Sequence, residues 1–183
     1  GYSRELQRKY VKSGWLESLG RGALIRTGQN VTWQGALFSI QNQSPNKIHI
    51  GGRSALNLLG MSHYLGLNSE KIDLFASRKT SLPSWFVNYD WGVKFNLSKS
   101  DFLPFTIGMV DYEIKDYILS ISSPARAIME CLYLSPGKFN LLEAYQIMEG
   151  LTALSPTEVQ LILSKCNSVK VVRLFLYMAE KAG

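Results

Sequence analysis

The residues able to do chemistry in this 183-residue chain are few and scattered, and each set also has an ordinary structural use. Asp111 and Glu113 alternate, with Lys115 two positions on and Asp116 beside it. Alternate residues of a strand project from one face, and two carboxylates with a lysine are what a metal-dependent nuclease or nucleotidyltransferase would use. The charged solvent face of an edge strand gives the same spacing. His49 and His63 fall in different elements, and neither has a Cys, Asp or Glu at the spacing of HExxH or CxxC, so no metal site is expected. Gly51-Gly52-Arg53 follows a strand-like run and opens a helix, but it lacks both GxGxxG and GxxxxGK[ST]. Two uses stay open for it: a tight turn, or an anion site made by backbone N–H groups beside an arginine. Cys131 and Cys166 sit among apolar neighbours in helical stretches and are expected to be buried free thiols. No serine stands in a nucleophile-elbow context and no cysteine has a histidine nearby in sequence, so no catalytic residue is assigned and no cofactor is expected.

A different chemistry is concentrated at the start of the chain. Of a net charge of +6, residues 1–26 carry Arg4, Arg8, Lys9, Lys12, Arg21 and Arg26 against only Glu5 and Glu17. Such a cluster without a bulky apolar face points to a polyanion, nucleic acid before membrane. No apolar run approaches the roughly 20 residues a bilayer span needs, and the opening GYSRELQRKYVKSG has no signal-like apolar core. A cytoplasmic location without membrane association is expected.

These cations need elements to hold them. Ser3 is a suitable N-cap, and SRELQRKYVKS runs without a breaker to Gly14, a residue suited to the position past a helix end. At about 100° per residue, Leu6 and Tyr10 fall on one side with Tyr2 nearby, Arg4, Arg8 and Lys12 on the other, and Lys9 at the edge. WLESLGRGALIRTG then reads as two short strands joined by Gly20-Arg21-Gly22. Helix followed by basic-tipped hairpin is the order of the recognition helix and wing of a winged helix-turn-helix; a solvated basic helix beside a surface hairpin is the plainer alternative. Two helices should precede a recognition helix, so this segment is expected to be an incomplete winged helix, with Leu6, Tyr10 and Trp15 in need of cover and Trp15 packed between helix and wing.

Beyond residue 30 the pattern is mixed. Thr32 caps a helix over TWQGALFSIQNQ, with Ala36, Leu37 and Ile40 inward, ending at Ser44-Pro45-Asn46. KIHI is a strand, GGRSALNLLGMSHYLG a helix with Ala55, Leu56 and Leu59 inward, and KIDLFA and WGVKFNL are strands, separated by an irregular aromatic stretch around Pro83. IGMVDYEIKDYILSIS forms a strand pair. SSPARAIMECLYL opens with a serine cap and proline at the first helical position, placing Ala125, Ile128, Met129 and Leu132 on one face, and three more helices follow: NLLEAYQIMEGL, PTEVQLILSKC and VKVVRLFLYMAEK. The expectation is an α+β protein, with a partial N-terminal winged helix-turn-helix over 1–30 and, over 31–183, a mixed α+β domain that is helical towards its C-terminus.

Several phrases taken together, in collinear order, resemble AbiEi-family antitoxins of type IV toxin-antitoxin (abortive-infection) systems: YVKSGWLESLGRGALIR at 10–26, VTWQGALFSIQNQ at 31–43, IHIGGRSALNLLGMSHYLGL at 48–67, LPSWF at 82–86, ISSPARAIMECL at 121–132 and SVKVVRLFLYMAE at 168–180. The resemblance implies a non-enzymatic transcriptional autorepressor, its winged helix on operator DNA and its C-terminal domain countering a nucleotidyltransferase-like toxin without requiring a stable complex. The DNA-reading residues would then be Arg4, Arg8, Lys9, Lys12 and Arg21, and the antitoxin's basic surface would draw on Arg53, Lys79, Arg126, Lys170 and Arg173. The chain departs from the family in lacking the first part of the winged helix and in carrying Ala125 where relatives have an acidic residue after Ser-Pro. The rival functions are the metal-dependent nuclease or nucleotidyltransferase on Asp111, Glu113 and Lys115, and a non-catalytic protein-interaction module docking an acidic partner.

Overall fold

The computed structural model of the protein describes residues 3–43, 47–61 and 71–182. The Ser44-Pro45-Asn46 turn, His63 and Tyr2 lie outside the described residues. Helix α1 (Arg4–Lys12) starts where its cap allows: the Ser3 hydroxyl accepts from the Leu6 N–H at 3.3 Å, satisfying one of the four free N–H groups of a helix start. It stops before Gly14, which takes φ +75°. Strands β1 (Leu16–Gly20) and β2 (Ala23–Arg26) then pair antiparallel, with Glu17 opposite Ile25 and Ser18 opposite Leu24. The register slips between Ser18 and Gly20, so Leu19 is the extra residue of a bulge.

Helix α2 (Trp33–Gln43) is capped by Thr32, whose hydroxyl accepts from the Gly35 N–H at 3.4 Å. Its inward face of Ala36, Leu37 and Ile40 is buried as the spacing predicts. The elements that follow are β3 (Ile48–Ile50), α3 (Gly52–Leu58), β4 (Lys71–Ala76), α4 (Ser84–Asn88), β5 (Lys94–Lys99), β6 (Met109–Ile114), β7 (Tyr117–Ser122), α5 (Pro124–Leu134), α6 (Leu141–Gly150), α7 (Pro156–Lys165) and α8 (Val169–Ala182). The architecture is α+β. α3 ends at Leu58, short of the expected stretch, and β5 starts at Lys94 rather than Trp91, after Gly92 turns the chain at φ +66°. Within the aromatic stretch around Pro83 the short helix α4 forms, an element that periodicity does not reveal.

Strands β3 to β7 make one sheet of order β5-β4-β3-β7-β6. β3 runs antiparallel to β4 and parallel to β7; β4 and β5 are parallel; β6 and β7 form a hairpin. Alternation sorts the faces. Ile50 stands beside Ile121, and this face meets α2, which brings Gly35 and Phe38 against Tyr117. His49 and Ser122 point the other way, towards α5. Helices α3, α6, α7 and α8 gather around α5, whose residues from Ala125 to Leu132 are all buried. At about 1.5–3 kcal/mol for each large aliphatic side chain taken out of water, this centre holds the body together.

Candidate nucleic-acid interface

Helix α1 divides as its pattern predicts. Leu6, Gln7 and Tyr10 are half-buried on the inner face, and Arg4, Arg8, Lys9 and Lys12 are exposed. Among the described residues no ion pair ties these four cations to a carboxylate. Lys9 and Lys12 stand in the last turn, where positive charge complements the helix carbonyls.

The hairpin is folded against this helix so that a groove of about 630 Å³ opens between them. Arg4, Arg8 and Lys12 line it from the helix, and Arg21, between Gly20 and Gly22, lines it from the turn. Both glycines take positive φ, +145° and +93°, which L side chains adopt only with strain. Four of the five expected residues therefore share one concave cationic surface; Lys9 is exposed outside its lining. A channel that gathers cations on low-dielectric walls focuses field onto an approaching polyanion.

Trp15 corrects an expectation. Its backbone joins helix to hairpin, with its N–H donating to the Tyr10 carbonyl at 3.0 Å and its carbonyl accepting from the Thr27 N–H at 3.1 Å. The indole is 73% exposed and packs between nothing. It lines a second cavity, of about 670 Å³, together with Tyr10, Arg26 and Thr27.

The five residues expected on a basic surface of the body separate. Lys79 and Arg173 are exposed. Arg53 is half-buried and paired with Glu143 at 3.1 Å. Lys170 is exposed, but its ammonium donates to the Tyr133 and Ser135 carbonyls at 2.6 and 2.7 Å, at the end of α5. Arg126 is not a surface residue at all: it is 2% exposed. Its Nε donates to Glu130 Oε1 at 2.9 Å, and Nη1 donates to the carbonyls of Pro104 and Ile107, both at 2.6 Å. The signal for its burial lay in its surroundings, since Arg126 and Glu130 stand four apart in a helix that is apolar on every side.

Glu130 is the centre of a buried polar network. Oε1 accepts from Arg126 Nε and from His49 Nε2, the latter at 2.8 Å; Oε2 accepts from the Gly52 N–H and the Ser122 hydroxyl, each at 2.8 Å. Burial pushes its carboxyl up, but the attraction and hydrogen bond of His49, then Arg126 and Ser122, outweigh it and hold the group below its ordinary value. The network gives Gly51-Gly52 a structural use. The Gly52 N–H is taken by this internal carboxylate, and a Cβ on Gly51 would collide with it.

The other candidates stay apart. Asp111 and Glu113 are exposed on β6, an edge strand, while Lys115 occupies the turn at φ +56°, off the strand face. Among the described residues no group of three His, Cys, Asp or Glu side chains could hold a metal ion. Cys131 and Cys166 are both free, and burial raises each thiol, Cys131 strongly. Among the described residues no helix is long and apolar enough to cross a membrane.

Comparison with known proteins gives the chain a family. Residues 69–183 match the family model described as transcriptional regulator, AbiEi antitoxin, type IV toxin-antitoxin system, and residues 1–67 match that of the AbiEi antitoxin N-terminal domain. The five-stranded sheet crosses that boundary, taking β3 from the first segment and its other strands from the second. The crystal structure of the RV2827C protein from Mycobacterium tuberculosis has a similar fold, with a TM-score of 0.55 at 14% identity over 100% of this chain and 67% of that one. No curated protein sequence matches the chain.

Proposed function

The chain belongs to the AbiEi antitoxin family of transcriptional regulators of type IV toxin-antitoxin systems, and we propose that it represses its own operon by binding operator DNA with α1 and the β1–β2 wing. The convergence of Arg4, Arg8, Lys12 and Arg21 on one groove supports this reading most directly. Helix α1 lies in the major groove, where side chains at its start read base edges, and Arg21 reaches a backbone phosphate. Lys9 adds a fifth phosphate contact from the helix edge. Residues 1–30 act as the DNA-binding unit. Residues 31–183, with Lys79 and Arg173 on their free basic surface, counter a nucleotidyltransferase-like toxin, and the chain performs no catalysis of its own.

The test is a titration against a duplex taken from upstream of the chain's own coding sequence, with a random-sequence duplex alongside, across a range of salt. Five phosphate contacts at about 0.9 counterions each predict log affinity falling with log salt at a slope of about −4.5. Salt-independent binding, or none, would instead favour docking to an acidic protein. For the second half of the proposal, co-expression with the neighbouring toxin should restore growth, and Lys79→Ala with Arg173→Ala should weaken the rescue.

A further inference from the structure

The wing does not stand free of the body. Strand β1 touches α4, and the point of contact is Gly20, the residue immediately before Arg21. A Cβ built on Gly20 would lie 2.8 Å from Trp85 Cβ and 3.2 Å from Trp85 Cα, so backbone here rests directly on α4 and no larger residue fits. The surface it rests on is well braced. The Trp85 ring meets Phe86 edge-on at 5.8 Å and Trp91 at 6.3 Å; Phe86 is buried and stacks on Phe95 of β5 at 5.0 Å. Trp91 is tied back by its Nε1, which donates to the Phe86 carbonyl at 2.7 Å.

Within the hairpin the tip is braced by the Ser18 hydroxyl, which accepts from the Gly20 N–H and donates to the Gly20 carbonyl, each at 3.2 Å. Two strands of four and five residues, interrupted by a bulge, are marginal without packing from elsewhere. Arg21 sits between two glycines at positive φ, the most permissive backbone available. Ser18 fixes Gly20 within the hairpin, and the dock on α4 fixes the hairpin's tip against the body.

We propose that Trp85 is a positioning residue for DNA binding: its ring, anchored in the aromatic cluster of the sheet's edge, fixes the α4 main chain and Cβ on which Gly20 rests, and so holds Arg21 over the groove beside α1. This rests on the reading of α1 and the wing as the DNA-binding surface. It makes the wing's contribution to affinity a property of the body as well as of the N-terminal segment, and it explains why a short aromatic helix is inserted between β4 and β5.

The experiment is a set of double-mutant cycles on the same upstream duplex. In the unsubstituted chain, Arg21→Ala removes one phosphate contact, which lowers the salt slope by about 0.9 and affinity about five-fold at 0.15 M salt. Trp85→Ala keeps the Cα and Cβ under Gly20 but removes the ring that anchors α4 among Phe86 and Trp91; in that background Arg21→Ala should cost less than two-fold and leave the slope unchanged, because α4 and the tip resting on it are no longer fixed. Arg8→Ala should cost the same in both backgrounds, which also shows that α1 is intact. Gly20→Ala should reproduce the loss of the Arg21 effect.

An undiminished Arg21 effect in Trp85→Ala would overturn the proposal. So would loss of that effect in Gly20→Ala alone, since strain within the turn would then suffice. Should Trp85→Ala fail to fold, Trp85→Leu, which keeps an apolar filler, is judged by the same criteria. If Arg21→Ala is silent in the unsubstituted chain while Arg8→Ala is not, the wing contact fails and the dock with it. If neither substitution matters, the fault lies in the DNA-binding reading as a whole.

Discussion

Glu130→Gln is the substitution whose cost the structure defines most closely. The wild-type carboxylate accepts four hydrogen bonds, two at each oxygen, and neutralises Arg126 in a site where both residues are almost wholly out of water. Glutamine keeps the shape and replaces one acceptor by an NH2 donor. With that NH2 at the Oε1 position it faces the Arg126 Nε–H; at the Oε2 position it faces the Gly52 N–H. Neither partner can turn round to accept, whereas the Ser122 hydroxyl can rotate. One buried donor is therefore left facing a donor, at about 1–3 kcal/mol, and the Arg126 guanidinium loses its counter-charge. Together these give about 3–5 kcal/mol, the range for removing one partner of a buried pair. A domain of this kind has only about 5–15 kcal/mol of stability in total, so the variant should unfold at much lower urea. Equilibrium unfolding followed by circular dichroism measures this. A loss under about 1 kcal/mol, with the denaturant dependence unchanged, would refute the reasoning.

Three further predictions follow from the same geometry. The Glu130 carboxyl is held below its ordinary 4.5, so its stabilisation is complete above pH 4.5 and drains away as pH falls through the lower folded-state value; acid unfolding should show this component in the wild type and lose it in Glu130→Gln. Gly51→Ala would place a methyl 2.6 Å from Phe75 Cδ2 and against the Glu130 carboxylate, and should destabilise by about 2 kcal/mol or more in thermal unfolding. Trp15→Ala should change stability by no more than about 0.5 kcal/mol, because the ring is 73% exposed; a large loss would mean that the indole packs after all.

How much of this was readable in the sequence depended on whether the deciding interaction is local. Helix α1 is bounded by a serine cap and a glycine within one stretch of chain, and its cationic stripe follows from 3.6-residue periodicity alone. The hairpin is set by Gly20 and Gly22, and α5 by Ser123 and Pro124. Each of these was legible because the residues that decide it are neighbours in sequence. Helix α4 was not, because a five-residue helix draws its stability from Phe95 and Trp91 packing on Phe86, contacts that periodicity cannot express. Arg126 was misplaced for a related reason: its partners at Pro104 and Ile107 lie in a loop with no repeating pattern. His49 and Glu130 are 81 positions apart, so only the fold brings them together. Trp15 differs in the opposite direction: a large aromatic beside a helix end is expected to pack, and its side chain is exposed instead.

The most direct test of the account is the salt dependence of duplex binding by the Arg8→Ala, Lys12→Ala double variant, set against the unsubstituted chain and a Lys79→Ala, Arg173→Ala control. Two lost phosphate contacts should lower the slope by about 1.8 and weaken binding roughly thirty-fold at 0.15 M salt, with the control unchanged. Equal affinity and equal slope for the double variant would contradict the claim that α1 is the DNA-reading helix.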